Sequence, residues 1–470
     1  MADLSLLERL PPERGDVTPA DVRAAVLASD RKIVALDDDP TGVQTVHDVA
    51  VLARWPVDAL AAELNAAPPL FFLLTNSRSL AADDAAELNR GIARDLVIAA
   101  EETGVEFAVA SRSDSTLRGH FPAETDALAA ELGRIDGVVV CPAFFEGGRY
   151  TIDDVHYVRQ GDRLTPAAET EFARDAAFSY RSSNLRDWVA EKSGGRIAAA
   201  DVASVSIEDA RIGGVQRVAQ TLAALRDGRP VVINAAGYAD LHVAALALLQ
   251  IEAAGKRFLY RTGASFVRAR AGIAERAQLT RTELLGGQAP PRVPGLVVVG
   301  SHVRRSGEQL AELVRLPGVV PIEVSVAEIL VGGAVRDRQV RDAAQAVEAA
   351  LRQGFTPVVS TSRHVETATA AEGQLALSRS VSAALVAIVS GVETRPGFIV
   401  AKGGITSSDI GTEALGVRRA VVLGQIRPGI PVWRLGPETR FPLLPYVVFP
   451  GNVGEAGTLA EIVRELRGNG

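Results

Sequence analysis

Two polar loops in the first half of the chain carry the residues best suited to chemistry. The loop 37–42 follows the apolar run 32–36 and begins with three consecutive aspartates. Adjacent carboxylates repel one another unless a cation or ligand hydroxyl groups offset their charge, so the triplet favours a functional site over a solvated turn. The loop 111–120 holds two arginines, one aspartate and four hydroxyl side chains. It suits a polar, anionic ligand better than a salt-bridged surface role, because arginine matches planar carboxylates and phosphates.

Two further segments belong to the same pattern. The loop 75–79 follows the apolar run 70–74 and contributes Arg78, although a helix cap explains this loop equally well. The segment 142–151 contains two adjacent phenylalanines and two adjacent glycines, and we interpret it as a mobile, partly apolar wall. Ligands of parallel sheets bind beyond the carboxyl ends of strands, so these loops are expected to lie together.

Glycine-rich turns follow apolar runs in the second half of the chain. Residues 402–409 (KGGITSSD) come after the run 397–401, and residues 450–454 (PGNVG) precede the last predicted helix. Glycine lets the backbone approach a ligand closely, and a helix start offers free N–H groups to phosphate. An ordinary strand-to-helix turn is an equally good reading. Thr406 and Asp409 predict a capping box that opens a helix, and Gly416 is predicted to end it.

The elements that must position these loops alternate along the chain. Fourteen apolar, β-rich runs are separated by stretches with helical spacing, a pattern that predicts βαβ units and mostly parallel sheets. Fourteen strands exceed one ordinary sheet, and the segment 286–295, with three prolines and three glycines, supplies a break. We therefore predict an α/β fold of two domains, 1–285 and 295–470. Each is a mostly parallel sheet flanked by helices, with a ligand cleft between them.

The composition limits the classes of function. The 470 residues are 47% hydrophobic with a net charge of −7, so the chain can bury a large core but lacks the basic excess of a nucleic-acid-binding protein. One cysteine and six scattered histidines give neither a disulfide nor a metal motif. No signal peptide or membrane-spanning run is visible, so we expect a cytoplasmic protein. A P-loop motif and a Rossmann glycine fingerprint are both absent.

Six motifs lie in a fixed order along nearly the whole chain. They are Asp37-Asp38-Asp39-Pro40-Thr41-Gly42, Ser113-Asp114-Ser115-Thr116-Leu117-Arg118-Gly119, the segment 142–151 with Val155-His156-Tyr157-Val158, Gly300-Ser301, Gly403-Gly404-Ile405-Thr406 and Pro450-Gly451-Asn452-Val453-Gly454. Together they resemble the four-carbon acid sugar kinase family. Its members have an N-terminal sugar-acid-binding domain and a C-terminal nucleotide-binding domain, and they phosphorylate threonate, erythronate or 3-oxo-tetronates from ATP. The chain departs from the family pattern at Asp39-Pro40, Ile405 and Phe449-Pro450, which indicates a distinct subgroup.

The resemblance implies an ATP-dependent sugar-acid kinase in which Mg²⁺ bridges the ATP phosphates. It implies Asp37, Asp38 and Asp114 as catalytic residues, with Asp37 or Asp38 as the expected general base and Asp114 as the group that positions substrate hydroxyls. The expected substrate-binding residues are Arg78, Arg112, Ser115, Thr116 and Arg118, and the three arginines among them suit the carboxylate of a sugar acid. The nucleotide-binding residues that it implies are Ser301, Lys402, Gly403, Gly404, Ile405, Thr406, Gly451 and Asn452.

Two alternatives stay open at this point. A nicotinamide-dependent hydroxy-acid dehydrogenase would use the same kind of substrate, although the missing Rossmann fingerprint counts against it. A non-catalytic sensor could bind the sugar acid or a nucleotide through the same polar loops. The expected partner is a small-molecule acid, with no nucleic acid and no membrane, and a homo-oligomer stays open.

Overall fold

The computed structural model describes residues 2–287, 290–301, 303–362 and 371–468. It divides into two compact units, Met1–Glu275 and Arg276–Gly470. Every predicted strand overlaps a strand of the structure, and the mostly parallel sheets flanked by helices confirm the predicted α/β class.

No helix in these described ranges combines the length and the apolar character needed to cross a bilayer.

The first unit contains a parallel sheet and a small antiparallel sheet. Its strands are β1 Ala2–Asp3, β2 Lys32–Asp37, β3 Val49–Leu52, β4 Leu70–Leu74, β5 Phe107–Arg112, β6 Gly137–Cys141, β7 Arg149–Ile152, β8 Val155–Gln160, β9 Arg163–Pro166, β10 Ala203–Val205, β11 Arg229–Ile233 and β12 Phe258–Thr262. The parallel sheet has the order β10-β11-β6-β12-β5-β2-β4-β3, and the antiparallel sheet has the order β1-β9-β8-β7. Strands β2 and β4 are buried almost throughout, as expected where helices cover both faces of a sheet.

The helices of the first unit begin and end where the sequence supplies caps. Helix α2 opens with a capping box between Thr18 and Asp21, and α4 ends at Gly104, whose φ of +70° suits glycine. The helices are α1 Ser5–Glu8, α2 Pro19–Ala28, α3 Val57–Asn65, α4 Ala82–Thr103, α5 Ala123–Leu132, α6 Leu185–Lys192, α7 Gly214–Ala223, α8 Tyr238–Ala253 and α9 Ala264–Arg270.

The second unit is built on a five-stranded parallel region extended by two antiparallel strands. Its strands are β13 Leu296–Val299, β14 Val319–Val324, β15 Thr356–Thr361, β16 Ile399–Lys402, β17 Arg419–Arg427, β18 Ile430–Leu435 and β19 Pro445–Phe449. Strands β14-β15-β13-β16-β19 are parallel, and β18 and β17 follow antiparallel. The helices are α10 Arg281–Leu285, α11 Arg304–Leu313, α12 Val326–Val331, α13 Gly333–Arg352, α14 Ala371–Ser390, α15 Gly404–Asp409 and α16 Thr458–Arg467.

Two local expectations differ from the structure. The compact units divide between residues 275 and 276, ahead of the predicted break at 286–295, because Leu279 and Leu284 pack in the core of the second unit. The predicted capping box of Thr406 and Asp409 is wrong. Gly403 is the N-cap of α15, which places Thr406 inside the helix, and Asp409 instead accepts a hydrogen bond from Ser382.

A fragment that ends at Glu275 should fold on its own, because the first unit has separate apolar clusters around its parallel sheet. A fragment that ends at Leu285 adds Leu279 and Leu284 without the residues of the second unit on which they pack. These leucines would be exposed, so this longer fragment should bind more of a hydrophobic dye than the shorter one. Circular dichroism melting and dye fluorescence check both statements. A non-cooperative melt of the shorter fragment, or equal dye binding by the two, would contradict them.

Candidate active site

The four central strands of the first sheet bring the predicted polar loops together. In the order β4-β2-β5-β12, Asp37 pairs in register with Leu74 and with Arg112, and Arg112 pairs with Thr262. The loops that follow these strands therefore start from neighbouring points on the carboxyl edge of the sheet. The parallel order, rather than closeness in sequence, joins loop 37–42 to loop 111–120.

The innermost contact of this edge joins Asp37 to Arg112, whose Nη2 lies 3.3 Å from Asp37 Oδ1. Both side chains are buried, and Gly42 closes over them so tightly that a Cβ there would overlap the Arg112 guanidinium and Asp37 Oδ1. Burial raises the pKa of Asp37 to about 8, while Arg112 opposes the shift and Asp38 and Asp39 add to it. A carboxyl with its pKa raised in this way is mostly protonated at neutral pH, which makes it a poor proton acceptor.

Asp38 is held by Arg78 through two hydrogen bonds. Arg78 Nη2 donates to Asp38 Oδ1 at 2.7 Å, and Nε donates to Oδ2 at 3.2 Å. Arg78 Nη1 also lies 3.6 Å from Asp39. The bidentate pair fixes the orientation of Asp38 and joins the loop after β4 to the loop after β2.

Asp114 forms a third pair with Arg118, whose Nε donates to Oδ2 at 2.7 Å, and the Thr116 hydroxyl donates to the same oxygen. Burial opposes the charged form, but Arg78 and Arg118 outweigh it and hold the pKa of Asp114 well below its usual range. Asp114 is therefore a fixed anion that can accept hydrogen bonds from hydroxyl groups. The predicted arginines Arg78, Arg112 and Arg118 each pair with a predicted aspartate.

Three side chains hold the backbone of the loop 113–119 through its carbonyl groups. His156 belongs to a motif that the sequence singles out, whereas Tyr180 and Arg261 were missed by sequence reasoning. His156 Nε2 donates to the Ser115 carbonyl at 2.7 Å, and its Nδ1 accepts from the Thr151 hydroxyl at 3.0 Å. Burial lowers the pKa of His156 to about 4, which keeps the ring neutral and suits one donor and one acceptor. Tyr180 donates to the Thr116 carbonyl at 2.8 Å. Arg261 donates to the Arg118 carbonyl at 3.0 Å.

A sequence signal existed for some of the missed residues. Arg261 stands at the carboxyl end of β12, the same position that singled out the loops after β2 and β5. Glu124, near the start of α5, is buried behind the site and bonded to Ser77. Burial raises its pKa to about 6, with Asp38 adding to the shift. No motif marks Glu124, because its importance depends on which loop packs on it.

The predicted glycine-rich turns of the second unit also converge. They follow β16 and β19, and the Gly300-Ser301 motif follows β13; β16 lies between the other two strands in the sheet. Gly403 has a φ of +119°, and its N–H donates to the Phe449 carbonyl at 2.8 Å. Ser306 connects the other two turns, because its hydroxyl oxygen lies 2.9 Å from Ser301 Oγ and 3.0 Å from the Gly451 carbonyl oxygen.

Lys402 is buried within this cluster rather than extended from it. Its Nζ donates to the Pro450 carbonyl at 2.8 Å and to the Gly451 carbonyl at 3.2 Å, and lies 3.8 Å from the centre of the Phe449 ring. Lys402 therefore holds the turn that contains Gly451. Among the other predicted residues, Gly404 begins α15, Thr406 is buried, and Ile405 and Asn452 are exposed.

Two domain models match the chain. A sugar-binding N-terminal domain matches residues 33–270, and a nucleotide-binding C-terminal domain matches residues 296–459. The chain belongs to the four-carbon acid sugar kinase family. The first match covers the paired aspartates and arginines of the loops after β2, β4 and β5, and the second covers the predicted glycine-rich turns.

Individual relatives agree with this family. A D-threonate kinase of Bordetella bronchiseptica is 42% identical over 111 residues, which span 24% of this chain and 25% of that kinase. A Salmonella typhimurium LT2 protein, provisionally described as a tRNA synthase, is similar in structure with a TM-score of 0.68 and 19% identity, over 93% of this chain and 99% of its own. A Haemophilus influenzae protein of the DUF1537 family is similar in structure with a TM-score of 0.61 and 19% identity, over 92% of this chain and 98% of its own. These two structures support the fold alone.

Asp37→Asn should change how stability depends on pH. The folded protein favours the protonated carboxyl of Asp37, whose pKa burial raises to about 8, whereas an aspartate in the unfolded chain titrates near 4. The contribution of Asp37 to the free energy of unfolding is thus present in full below about pH 4 and is lost as the pH rises toward 8. It falls by up to about 1.4 kcal/mol per pH unit, and asparagine lacks this loss.

Melting temperatures of both proteins between about pH 5 and pH 8 check this sign. The melting temperature of Asp37→Asn should rise relative to that of the wild type as the pH rises. Asp162→Asn, at an exposed turn position of the same unit, is the matched control and should give a constant difference. A constant difference for Asp37→Asn as well would show that Asp37 is already ionised.

Proposed function

We propose that this protein is an ATP-dependent kinase that phosphorylates a hydroxyl group of a small sugar acid such as threonate, erythronate or a 3-oxo-tetronate. The observation that carries the proposal is the cluster of fixed aspartates and arginines on the carboxyl edge of the first sheet. A sugar acid presents hydroxyls and one carboxylate, which match acceptors and cations held at short range. The match to a nucleotide-binding domain supplies the second half of a phosphotransferase.

We place the sugar acid in the first unit, beside Asp38 and Asp114. Asp114 accepts a hydrogen bond from a substrate hydroxyl and orients it, because its low pKa makes it a good acceptor and a poor base. Asp38 is the proposed general base, since the raised pKa of Asp37 favours its protonated form at neutral pH. Arg78 and Arg112 orient the aspartates, and the hydroxyl of Thr116 orients Asp114.

We place the nucleotide in the second unit, at the turns after β13, β16 and β19. Gly403 and Gly404 let the backbone approach the phosphates, and N–H groups at the start of α15 face an anion favourably. The hydroxyls of Ser301 and Thr406 and the backbone of Gly451 complete the proposed contact set. Lys402 contributes indirectly, because its ammonium group holds the Gly451 turn.

Mg²⁺ is proposed to enter with ATP. Within the described residues, no group of three His, Cys, Asp or Glu side chains is placed to hold a metal ion. Mg²⁺ in kinases commonly takes much of its coordination from substrate phosphates and water, so Mg·ATP binding does not require such a group of side chains.

The transfer itself is mainly positioning and charge neutralisation. The substrate hydroxyl oxygen forms a bond to the γ-phosphorus of ATP, the bond between that phosphorus and the β,γ-bridging oxygen breaks, and ADP leaves. The hydroxyl proton passes to Asp38. Asp114 and the surrounding arginines keep the hydroxyl and the acid from turning away from the phosphate.

The proposal is tested by measuring ADP release from Mg·ATP over a panel of four- and five-carbon sugar acids. We expect one or a few acids to raise ADP release well above the rate with ATP alone. Asp38→Asn should lower kcat by about 10²–10⁴-fold if Asp38 takes the proton. Asp114→Asn should chiefly raise KM for the acid.

Glu131→Gln, on the surface helix α5, is the control and should behave as wild type. Acid binding without ADP release would favour a sensor instead. Hydride transfer to a nicotinamide with the same acids would favour a dehydrogenase.

Gly404→Val should weaken ATP binding, because the added methyl groups occupy the space where the phosphates approach the backbone. Isothermal titration with ATP measures the effect directly. Ala349→Val adds the same side chain on an exposed helical position of α13, ahead of β15, and should leave ATP affinity unchanged. A folded Gly404→Val protein with wild-type ATP affinity would remove Gly404 from the nucleotide site.

A further inference from the structure

Arg149 and Arg261 differ from the other arginines near Asp114. Arg78, Arg112 and Arg118 each have a carboxylate partner, whereas Arg149 and Arg261 have none within 4.0 Å in the described ranges of the chain. The Nε atom of each is buried without a hydrogen-bond partner. Arg261 is buried and Arg149 is half-buried. A cation held largely out of water without a counter-ion is costly, so each of the two calls for an explanation.

Arg261 is explained by the loop that it supports. Its side chain is only 2% exposed, and its Nη2 donates to the Arg118 carbonyl. It lies too deep to meet a ligand without displacing the loop 113–119. We therefore assign Arg261 to positioning that loop.

Arg149 is held at the edge of the small antiparallel sheet, as the first residue of β7. Its N–H donates to the Phe144 carbonyl at 2.9 Å, and its own carbonyl accepts from the Phe144 N–H at 3.3 Å. Its guanidinium Nη1 donates to the Gly147 carbonyl. Gly147 makes this possible, because a Cβ there would overlap the Phe144 ring and lie 2.6 Å from Arg149 Nη1.

Arg149 and Arg118 meet at one aromatic ring. The guanidinium carbon of Arg118 lies 5.2 Å from the centre of the Phe172 ring, and that of Arg149 lies 5.9 Å from it. Arg118 is paired with Asp114 and also lies 3.5 Å from Asp175, whereas Arg149 has no carboxylate within 4.0 Å in the described ranges. Burial lowers the pKa of Arg149, Asp114 opposes this shift, and Arg118 adds to it. This is the pattern expected of a cation that an incoming anion stabilises.

We propose that Arg149 binds the carboxylate of the sugar acid, while the hydroxyls of the acid lie toward Asp114. This assignment rests on the proposed function. It replaces Arg78, Arg112 and Arg118 as primary carboxylate ligands, since each of these three is already paired with an aspartate. The planar guanidinium can meet a carboxylate with two parallel hydrogen bonds, so Arg149 selects acids over neutral polyols.

The test compares steady-state kinetics of wild type, Arg149→Gln and Arg149→Lys, with the acid that gives the most ADP release in the panel. Arg149→Gln should raise KM for that acid roughly 30-fold or more, with kcat changed less and KM for ATP unchanged. Arg149→Lys should give an intermediate KM, because it keeps the charge but loses the bidentate geometry. Added ethylguanidinium should partly restore the acid KM of Arg149→Gln.

Arg159→Gln removes an exposed arginine of the same small sheet and should leave all constants unchanged. If wild type phosphorylates no acid, the proposed function fails and this inference fails with it. If wild type is active and Arg149→Gln keeps its acid KM within about threefold of wild type, only this inference is overturned. If Arg149→Gln does not fold, Arg149→Met, which keeps the apolar contacts with Phe144 and Phe172, takes its place with the same threshold.

Discussion

A carboxylate that is removed from water must meet a cation, a proton or several hydrogen-bond donors, and the candidate site of the first unit follows from this requirement. Asp38 and Asp114 each meet a guanidinium group, and Asp37 meets both Arg112 and a proton. The partners of Asp37 and Asp38 come from different strand ends, so those contacts also fix the loops relative to one another. Deleting Arg78 would leave the buried carboxylate of Asp38 without its bidentate partner, and breaking a buried ion pair in this way typically costs about 3–5 kcal/mol.

The part of this arrangement that sequence can predict is the part that depends on strand order. Apolar runs locate the strands, and the rule that parallel strands gather their carboxyl-end loops is enough to bring Asp37 and Arg112 to one edge. The sequence does not predict which arginine at this edge pairs with which aspartate, because Arg78, Arg112 and Arg118 have the same chemistry. Which aspartate each of these three arginines meets depends on distances of a few ångströms. Arg149 is hidden for the same reason, although it lies in the segment 142–151 that the sequence singles out.

The remaining differences have local physical causes. Leu279 and Leu284 belong to the second core, and a sequence rich in proline and glycine a few residues later gives a stronger signal than two leucines can. Thr406 and Asp409 have the spacing of a capping box, but the helix begins earlier, at a glycine with a positive φ, and Asp409 bonds Ser382 on α14. A lysine beside two glycines predicts a phosphate ligand, yet the ammonium group of Lys402 donates to two carbonyls of a neighbouring turn.

The two units suggest two ways of handling an anion. The turns of the second unit offer backbone N–H groups, and the ammonium group of Lys402 is used to hold the turn, so we infer that the phosphates are met by main-chain dipoles. Such a surface is tolerant of the side chains around it. For the first unit we infer that the acid meets side chains instead, because its guanidinium and carboxylate groups are held in place by ion pairs, of which Arg78 with Asp38 is bidentate, and by Gly42. Small acids that differ in the configuration of one hydroxyl can be told apart only by acceptors held in place, so the rigid side-chain cluster is where we expect substrate choice to be made.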